Sequence, residues 1–294
     1  FQDQYRETRA KLYDEEHRGL RADETFAGGT LTKKHNRTIL ILDDDEDMRL
    51  FISRLLAPTY NIIESSNGEE ALKLAHQLQP DLIVSDMMMP VMDGYQFLRA
   101  LKQDSNISHI PIILLTARAS MDARLKGLEE GADDYITKPF HEKILLLRVK
   151  NLIDRMQKAK ERFWTDINLE PKEITITSLD EKFMGNLVTI VEKNIANTNF
   201  NADTICQELG VGRSYLYAKV KALTDLPVNE FVKTIRLKRA AILLTKGQLH
   251  VNEVAYSVGF NDRYYFSKCF LKHFGVSPSQ YQNENSKINP SLHE

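Results

Sequence analysis

Short apolar runs alternate with amphipathic segments over the first half of the chain. Each run holds four or five residues, mostly β-branched or leucine, and a segment whose apolar positions have helical spacing follows it. Runs of this length without apolar–polar alternation are typical of parallel strands that are buried on both faces. The pattern predicts five strands, near residues 38–42, 60–64, 81–86, 111–116 and 133–137. Helices are predicted near residues 46–57, 67–78, 93–103, 120–130 and 141–157.

The last third of the chain has helical spacing throughout and contains one short pattern twice. Cys206 and Ala255 each precede a glycine by four positions, and an amphipathic segment follows each glycine. The small residue lets two helices approach closely, and the glycine supplies a tight turn with positive φ. The repeat therefore predicts two helix-turn-helix units joined by a long helix. The units lie at about 203–224 and 251–274, and the joining helix lies near 227–245.

These patterns divide the chain into an α/β domain followed by an all-α domain. Polar or irregular segments lie before, between and after the two domains. Because the first residue is Phe1 rather than Met, we expect a fragment or a processed chain. We predict a linker over 1–36, the α/β domain over 37–157, a connector over 158–180, the all-α domain over 181–284 and a tail over 285–294.

Composition excludes several classes of protein. The hydrophobic content of 42% supports packed cores, and no apolar stretch approaches the roughly 18 residues of a membrane span. The chain has no secretory signal pattern either. The only two cysteines, Cys206 and Cys269, have no metal-type spacing, so we expect two reduced residues in an intracellular protein. We therefore expect a cytoplasmic location without direct membrane contact in this segment.

The net charge of −2 hides a difference between the two domains. Residues 37–158 carry 15 basic and 19 acidic side chains, whereas residues 181–294 carry 14 basic and 10 acidic ones. An acidic first domain suits a metal-and-phosphate site, and a mildly basic second domain suits a nucleic-acid binder.

Polar side chains follow the predicted strands at the points where the strands end. Asp43 and Asp44 follow the first strand, and Asp86, Thr116 and Lys138 end or follow later ones. Because the carboxyl ends of parallel strands meet at one edge of a sheet, these side chains should converge. Clustered carboxylates repel one another unless a cation such as Mg²⁺ binds them. A carboxylate can also accept a phosphoryl group, which a hydroxyl and an ammonium would contact.

The first domain resembles a response-regulator receiver domain in the motifs ILILDDDEDMR, DLIVSDMMMPVMDG, PIILLTA and GADDYITKPF. The resemblance implies a flavodoxin-like, doubly wound (βα)5 fold with strand order 2-1-3-4-5. It implies that Asp86 is the phospho-acceptor and that Thr116 and Lys138 contact the phosphoryl oxygens, with Tyr135 as the switch aromatic. It also implies Mg²⁺ binding by Asp44 and Asp86, by the backbone carbonyl of Met88 and, at longer range, by Asp43.

The second domain resembles the AraC/XylS family of transcription factors, above all in the stretch VGFNDRYYFSKCFLKHFGVSPSQY. The resemblance implies a seven-helix domain that binds double-stranded promoter DNA. In it Asp225 replaces the commoner glycine after the first recognition helix, so we expect that turn to be strained or differently built. Helical spacing places the candidate DNA-reading residues on the outward faces of the two recognition helices. They are Arg213, Ser214, Tyr217 and Lys221 in the first unit, and Arg263, Tyr264, Ser267 and Lys268 in the second.

The joining helix carries further basic residues with a different expected role. We expect these side chains to contact DNA phosphates or water rather than bases, because they lie outside the recognition helices. They are Lys233, Arg236, Lys238 and Arg239.

Together these features indicate a non-enzymatic transcription regulator of a two-component system. A histidine kinase would phosphorylate Asp86, and the phosphorylated chain would dimerise on promoter DNA. The order of domains resembles the C-terminal end of hybrid systems, in which an inner-membrane sensor and kinase precede the receiver in one polypeptide. One alternative is a phosphorelay or protein-interaction module without specific DNA binding. An aspartyl-phosphate phosphatase would need an aspartate at position 88, where this chain has Met88.

Overall fold

The computed structural model describes residues 35–117, 131–165 and 177–286. In the first part, five short strands alternate with helices. The strands are β1 (Thr38–Leu42), β2 (Asn61–Ser65), β3 (Leu82–Asp86), β4 (Ile112–Thr116) and β5 (Asp134–Thr137). The helices of this part, within those ranges, are α1 (Glu46–Leu56), α2 (Gly68–Leu78), α3 (Gly94–Gln103) and α4 (Glu142–Thr165).

The five strands form one parallel sheet in the order β2-β1-β3-β4-β5. Alternate residues of each strand enter two separate cores, as the two-residue period of a strand requires. Leu40, Ile83 and Leu114 pack on the side of α2 and α3. Ile39 and Val84 pack on the opposite side with α1 and α4. The central strand in this order is β3, and every residue of β3 and of its neighbour β4 is buried.

This sheet confirms the predicted fold class, and the strands begin and end within a residue of the predicted positions. The predicted helix at 120–130 lies outside the described residues, as do the predicted linker up to residue 34 and residues 287–294 of the tail. Helix α4 continues to Thr165, well into the segment we predicted as a connector. The strong helix formers in its last turns, such as Lys158 and Glu161, favour that extension.

Seven helices form the second part within the described residues. They are α5 (Ser178–Lys193), α6 (Ala202–Leu209), α7 (Arg213–Thr224), α8 (Val228–Thr245), α9 (Val251–Ser257), α10 (Arg263–Phe274) and α11 (Pro278–Ser286). The pairs α6–α7 and α9–α10 are the two predicted helix-turn-helix units, and α8 is the joining helix. Gly210 and Gly259 have positive φ values of 67° and 81°, as their turns require.

The turn after α7 is built in the left-handed conformation despite its aspartate. Asp225 has φ 59° and ψ 12°, and its backbone N–H donates to the carbonyl oxygen of Lys221. Its carboxylate lies 3.4 Å from the ammonium of Lys160 on α4. The usual glycine conformation is therefore kept, and the side chain that replaces glycine makes an ion pair with the end of α4.

None of the helices within the described ranges combines the length and the hydropathy needed to cross a bilayer.

Candidate functional site

Three carboxylates meet at the carboxyl edge of the sheet. Asp43 and Asp44 follow β1, and Asp86 is the last residue of the central strand β3. One oxygen of each carboxylate can be chosen so that all three lie within 4.8 Å of one another. Asp43 and Asp86 are buried, whereas Asp44 is exposed. The topology of the sheet thus brings together residues that are far apart in the chain.

Lys138, which follows β5, compensates this negative charge. Its Nζ lies 2.7 Å from Oδ1 of Asp86 and 3.0 Å from Oδ2 of Asp43. Burial acts to lower the pKa of Lys138, but its hydrogen bonds to Asp86 and Asp43 outweigh that effect and the pKa is raised. Burial raises the pKa of Asp43, although Lys138 opposes the rise. The ammonium is therefore held in its charged form between the two buried carboxylates.

The loop after β3 folds back closely over Asp86. The backbone N–H of Met88 donates to Oδ2 of Asp86 over 3.1 Å, and that of Gly94 donates to the carbonyl of Met87 over 3.0 Å. A Cβ at Gly94 would lie 2.5 Å from the carbonyl oxygen of Asp86 and 2.7 Å from Cα of Met87. Only glycine fits where α3 begins, so the start of α3 is packed directly against the strand that carries Asp86.

The two remaining predicted residues of this site lie on the neighbouring strands β4 and β5. Thr116 ends β4 beside Asp86 and is 2% exposed. Tyr135 lies within β5 and is 6% exposed, among the core residues on the side of α2 and α3. Both side chains therefore point into the protein.

The residues present fit a hard divalent cation. Carboxylate oxygens are the ligands that Mg²⁺ prefers, and Mg²⁺ keeps several waters and uses few carboxylates. The three oxygens within 4.8 Å of one another can contact a single small ion directly or through its water. The exposed Asp44 leaves one side of the cluster open to solvent.

The first helix-turn-helix unit presents a polar face on α7. Arg213, Ser214 and Tyr217 are exposed and Lys221 is half-buried, whereas Leu216 on the opposite face is fully buried. The guanidinium of Arg213 donates two hydrogen bonds to the carboxylate of Asp203 on α6, at 2.5 and 2.6 Å. This hydrogen bond to Asp203 raises the pKa of Arg213. Arg213 would have to break both hydrogen bonds to Asp203 before it could donate to another acceptor, such as a base.

The second unit presents a similar face on α10. Arg263, Tyr264 and Lys268 are exposed and Ser267 is half-buried, while Phe266 is buried in the core. The guanidinium of Arg263 lies 4.7 Å from the centre of the Tyr264 ring. The two side chains at the start of this helix therefore form one exposed unit.

The structure corrects our expectation for one basic residue of the joining helix. Lys238 is only 6% exposed, so it is buried rather than available to a phosphate. Lys233 forms an ion pair with Glu230 one turn earlier. Arg236 is half-buried and donates hydrogen bonds to two backbone carbonyls. Of the four, Arg239 is exposed, as expected.

A buried polar cluster that the sequence did not predict joins α7 to the first domain. Nζ of Lys219 lies 2.6 Å from Oδ1 of Asp180, and their side chains are 2% and 0% exposed. The hydroxyl of Ser108, in the loop between α3 and β4, donates to Asp180 over 2.9 Å and accepts from Lys219 over 3.0 Å. Lys219 also donates to the carbonyl of Ser105. The only signal in the sequence was that Lys219 lies beside the core position Val220.

Comparison with known families agrees with both halves of this structure. Residues 39–150 match the family described as response regulator receiver domain. Residues 205–284 match a family described as helix-turn-helix domain.

Several known proteins align with part or most of this chain. A histidine kinase from Formosa agariphila, P4, is 46% identical over 265 residues, which are 90% of this chain and 19% of the kinase. The alkaline phosphatase synthesis transcriptional regulatory protein PhoP of Bacillus subtilis is 31% identical over 232 residues, covering 68% of this chain and 94% of PhoP. A Francisella response-regulator receiver domain structure is 37% identical and covers 41% of this chain and 98% of its own, with a TM-score of 0.39. The chain thus spans about a fifth of the length of the Formosa kinase.

Proposed function

We propose that this chain binds specific promoter sequences under the control of phosphorylation at Asp86. The chain belongs to the response regulators and carries a receiver domain ahead of an AraC-type helix-turn-helix domain. The observation that carries the proposal is the position of Asp86. It ends the central strand, its carboxylate contacts Lys138 at 2.7 Å, and the carboxylates of Asp43 and Asp44 lie beside it. This is the arrangement of groups that a carboxylate needs to accept a phosphoryl group.

In the proposed reaction a carboxylate oxygen of Asp86 attacks the phosphorus of a phosphohistidine. A P–O bond forms while the P–N bond breaks, and the departing imidazole takes up a proton. Asp43, Asp44 and Asp86, with the backbone carbonyl of Met88, would hold Mg²⁺. When bound, Mg²⁺ neutralises the negative charge that accumulates as a phosphoryl group approaches carboxylates.

Lys138 and Thr116 would receive the product. The ammonium of Lys138 already lies against Asp86, so it can exchange the carboxylate oxygen for a phosphoryl oxygen without a large movement. The buried hydroxyl of Thr116, on the adjacent strand, can donate to another phosphoryl oxygen. If Thr116 moves toward the phosphoryl group, Tyr135 on β5 would follow, and the nearby surface would change. We propose that this changed surface forms the dimer.

A phosphorylation experiment tests this assignment. The protein is incubated with acetyl phosphate and Mg²⁺, and its intact mass is measured. We expect the native chain to gain the mass of one phosphoryl group and Asp86→Asn to gain none. Asp47→Asn, which removes an exposed carboxylate from α1, is the matched control and should be phosphorylated normally. Undiminished phosphorylation of Asp86→Asn would refute the assignment.

For DNA, we propose that one protomer inserts α7 and α10 into successive major-groove segments, about 34 Å apart. Arg213, Ser214, Tyr217 and Lys221 would contact one segment, and Arg263, Tyr264, Ser267 and Lys268 the other. A bidentate arginine–guanine contact contributes about 1–3 kcal/mol of discrimination. Arg213→Ala and Arg263→Ala should therefore each relax specificity at one base pair.

Selection of bound genomic fragments, followed by affinity measurements on base-substituted sites, tests this reading. A uniform loss of affinity for all sequences in both arginine variants would contradict the assignment of the reading faces. The absence of any sequence preference in the native chain would favour the alternative, a phosphorelay or interaction module without specific DNA binding.

We also propose that a histidine kinase lies in the same polypeptide. The support is the alignment of 90% of this chain with the Formosa histidine kinase at 46% identity. An antibody against this chain should detect, in the source cells, a product much larger than 33.8 kDa, the mass of these 294 residues. A single product of about that mass would contradict the proposal.

A further inference from the structure

One arginine joins the two helix-turn-helix units at their point of contact. Arg236 lies in the middle of α8, and its guanidinium donates to two backbone carbonyls from different units. Nη2 contacts the oxygen of Asn197, in the segment that leads into α6, over 2.6 Å. Nη1 contacts the oxygen of Gly259, in the turn of the second unit, over 3.1 Å. A single planar side chain thus bridges the entry of one unit and the turn of the other.

The helix that carries Arg236 belongs to both hydrophobic cores. Its first half contributes residues such as Phe231 to the core of the first unit. Its second half contributes residues such as Leu244 to the core of the second unit. Arg236 lies where α8 passes from one core to the other, and Ile195 packs against both cores there. The relative placement of the units is therefore decided at this junction.

Gly259 brings the two units into direct backbone contact. A Cβ at this position would overlap the carbonyl oxygen of Ile195 and would lie 2.9 Å from Cζ of Arg236. The turn of the second unit therefore packs against the segment before the first unit with no room for a side chain. The guanidinium of Arg236 packs against Gly259 at the same place.

Arginine suits this position better than another cation. Its planar fork can reach two carbonyls at fixed angles, whereas the ammonium of lysine is a point donor. Arg236 is half-buried, and this burial lowers the pKa of its guanidinium. Its Nε is buried and has no hydrogen-bond partner among the described residues, so the two terminal nitrogens make its directional contacts.

We propose that Arg236 is a positioning residue that fixes the distance and rotation between the recognition helices α7 and α10. The consequence is selection of DNA by the spacing between two sub-sites as well as by their bases. This consequence rests on the proposed DNA-binding function. The rigid junction itself does not, and it can be tested in the free protein.

The first experiment measures the distance between the two recognition helices without DNA. Nitroxide labels are attached at Ala218→Cys on α7 and Lys272→Cys on α10, both exposed positions, in a background in which Cys206 and Cys269 are replaced by alanine. Pulsed electron–electron double resonance should give one narrow distribution of distances between the two labels. Arg236→Met, which keeps an unbranched apolar side chain but loses the guanidinium fork, should broaden it.

Two further variants test whether the effect depends on the shape of the guanidinium or only on its charge, and circular dichroism tests whether the variants fold. Arg236→Lys keeps the charge and should also broaden the distribution, because a point donor cannot hold both carbonyls. Arg239→Met removes an exposed cation from the same helix and should leave the distribution narrow. Circular dichroism establishes that each variant is folded. A distribution that is as narrow in folded Arg236→Met and Arg236→Lys as in the native chain would overturn the proposal.

The second experiment measures binding to selected sites with one base pair inserted between the two sub-sites. The insertion rotates one sub-site by about 35° relative to the other. The native chain should lose affinity at least about tenfold, the value of one base contact, whereas Arg236→Met should lose less than about threefold. Full spacing selectivity in Arg236→Met would overturn the inference. A native chain without specific binding would instead refute the proposed function and leave the distance measurement as the test of the junction.

Discussion

The replacement of Lys219 by methionine should destabilise the protein strongly, because it leaves a buried carboxylate without its cation. The ammonium of Lys219 lies 2.6 Å from Asp180, whose side chain is fully buried. Burial lowers the pKa of Lys219, although Asp180 acts to raise it, so the charged form depends on this partner. Removing one member of a buried ion pair costs about 3–5 kcal/mol. That is a large part of the roughly 5–15 kcal/mol by which domains are stable.

The double variant Lys219→Met/Asp180→Leu separates the pair from the surrounding packing. With both charges removed no uncompensated charge remains, and such replacements are often neutral or stabilising. The double variant should therefore recover most of the stability that Lys219→Met loses. Ser108→Ala removes a hydroxyl that bonds both charges, which should cost about 1.5–3 kcal/mol.

Amide hydrogen exchange, followed by mass spectrometry, is the appropriate assay because it resolves the two domains. The informative peptide is the one that covers α7. Ser108 lies in the other domain, and yet Ser108→Ala should change amide hydrogen exchange in this helix. Lys268→Met, which removes an exposed lysine from the second recognition helix, is the control and should stay within about 0.5 kcal/mol. The reasoning is refuted if Lys219→Met resembles this control, or if the double variant is no more stable than Lys219→Met.

Three other predictions concern the receiver domain. Burial, followed by the nearby Lys219 ammonium, lowers the pKa of His109 to about 3. The unfolded imidazole takes up a proton below pH 6.5, whereas the folded one does not. The free energy of unfolding should therefore fall by about 2 kcal/mol as the pH is lowered from 7 to 5. Urea titrations should show this fall in the native chain and not in His109→Gln. Gly94→Ala should slow the phosphorylation of Asp86 by acetyl phosphate, because the added Cβ meets backbone atoms at 2.5 and 2.7 Å; an unchanged rate would contradict this. Beryllofluoride should raise dimerisation or DNA affinity in the native chain but not in folded Lys138→Ala, as measured by sedimentation and gel shift; an equal response in both would contradict the role of the lysine.

The sequence was sufficient to predict the sheet and the residues at its edge. Buried parallel strands leave a strong local signal, because both of their faces are apolar. Once the strands were placed, the general rule that their carboxyl ends converge brought Asp43, Asp86 and Lys138 together. In the structure both carboxylates lie within 3.0 Å of the ammonium of Lys138. Local pattern and general topology were enough for these residues because the site follows directly from the strand ends.

The roles of Lys219 and Arg236 could not be predicted in this way. A single lysine or arginine on a helix is usually solvated, and helical spacing cannot show that a distant segment covers it. Ser108 lies 72 residues from Asp180 and 111 from Lys219 along the chain. The contacts of Arg236 are with backbone carbonyls 39 and 23 residues away, which have no signature in the sequence. Such long-range pairings depend on how the domains and units pack.

Helix α3 lies between the proposed phosphorylation site and the buried polar cluster around Lys219. It begins at Gly94, packed against the strand that carries Asp86, and the loop after it holds Ser108 against Lys219. Lys102, in its last turn, donates to the carbonyl of Ile110 and so ties the helix to that loop. Ten helical residues span about 15 Å and move as a stiff rod. A displacement of α3 on phosphorylation should therefore reach α7 directly. Lys102 also forms a buried ion pair with Asp133 at 3.1 Å, so the test uses the double variant Lys102→Met/Asp133→Asn, which leaves no buried charge unpaired. Beryllofluoride should change hydrogen exchange in α7 less in this variant than in the native chain. An equal change in both proteins would show that α3 does not carry the signal.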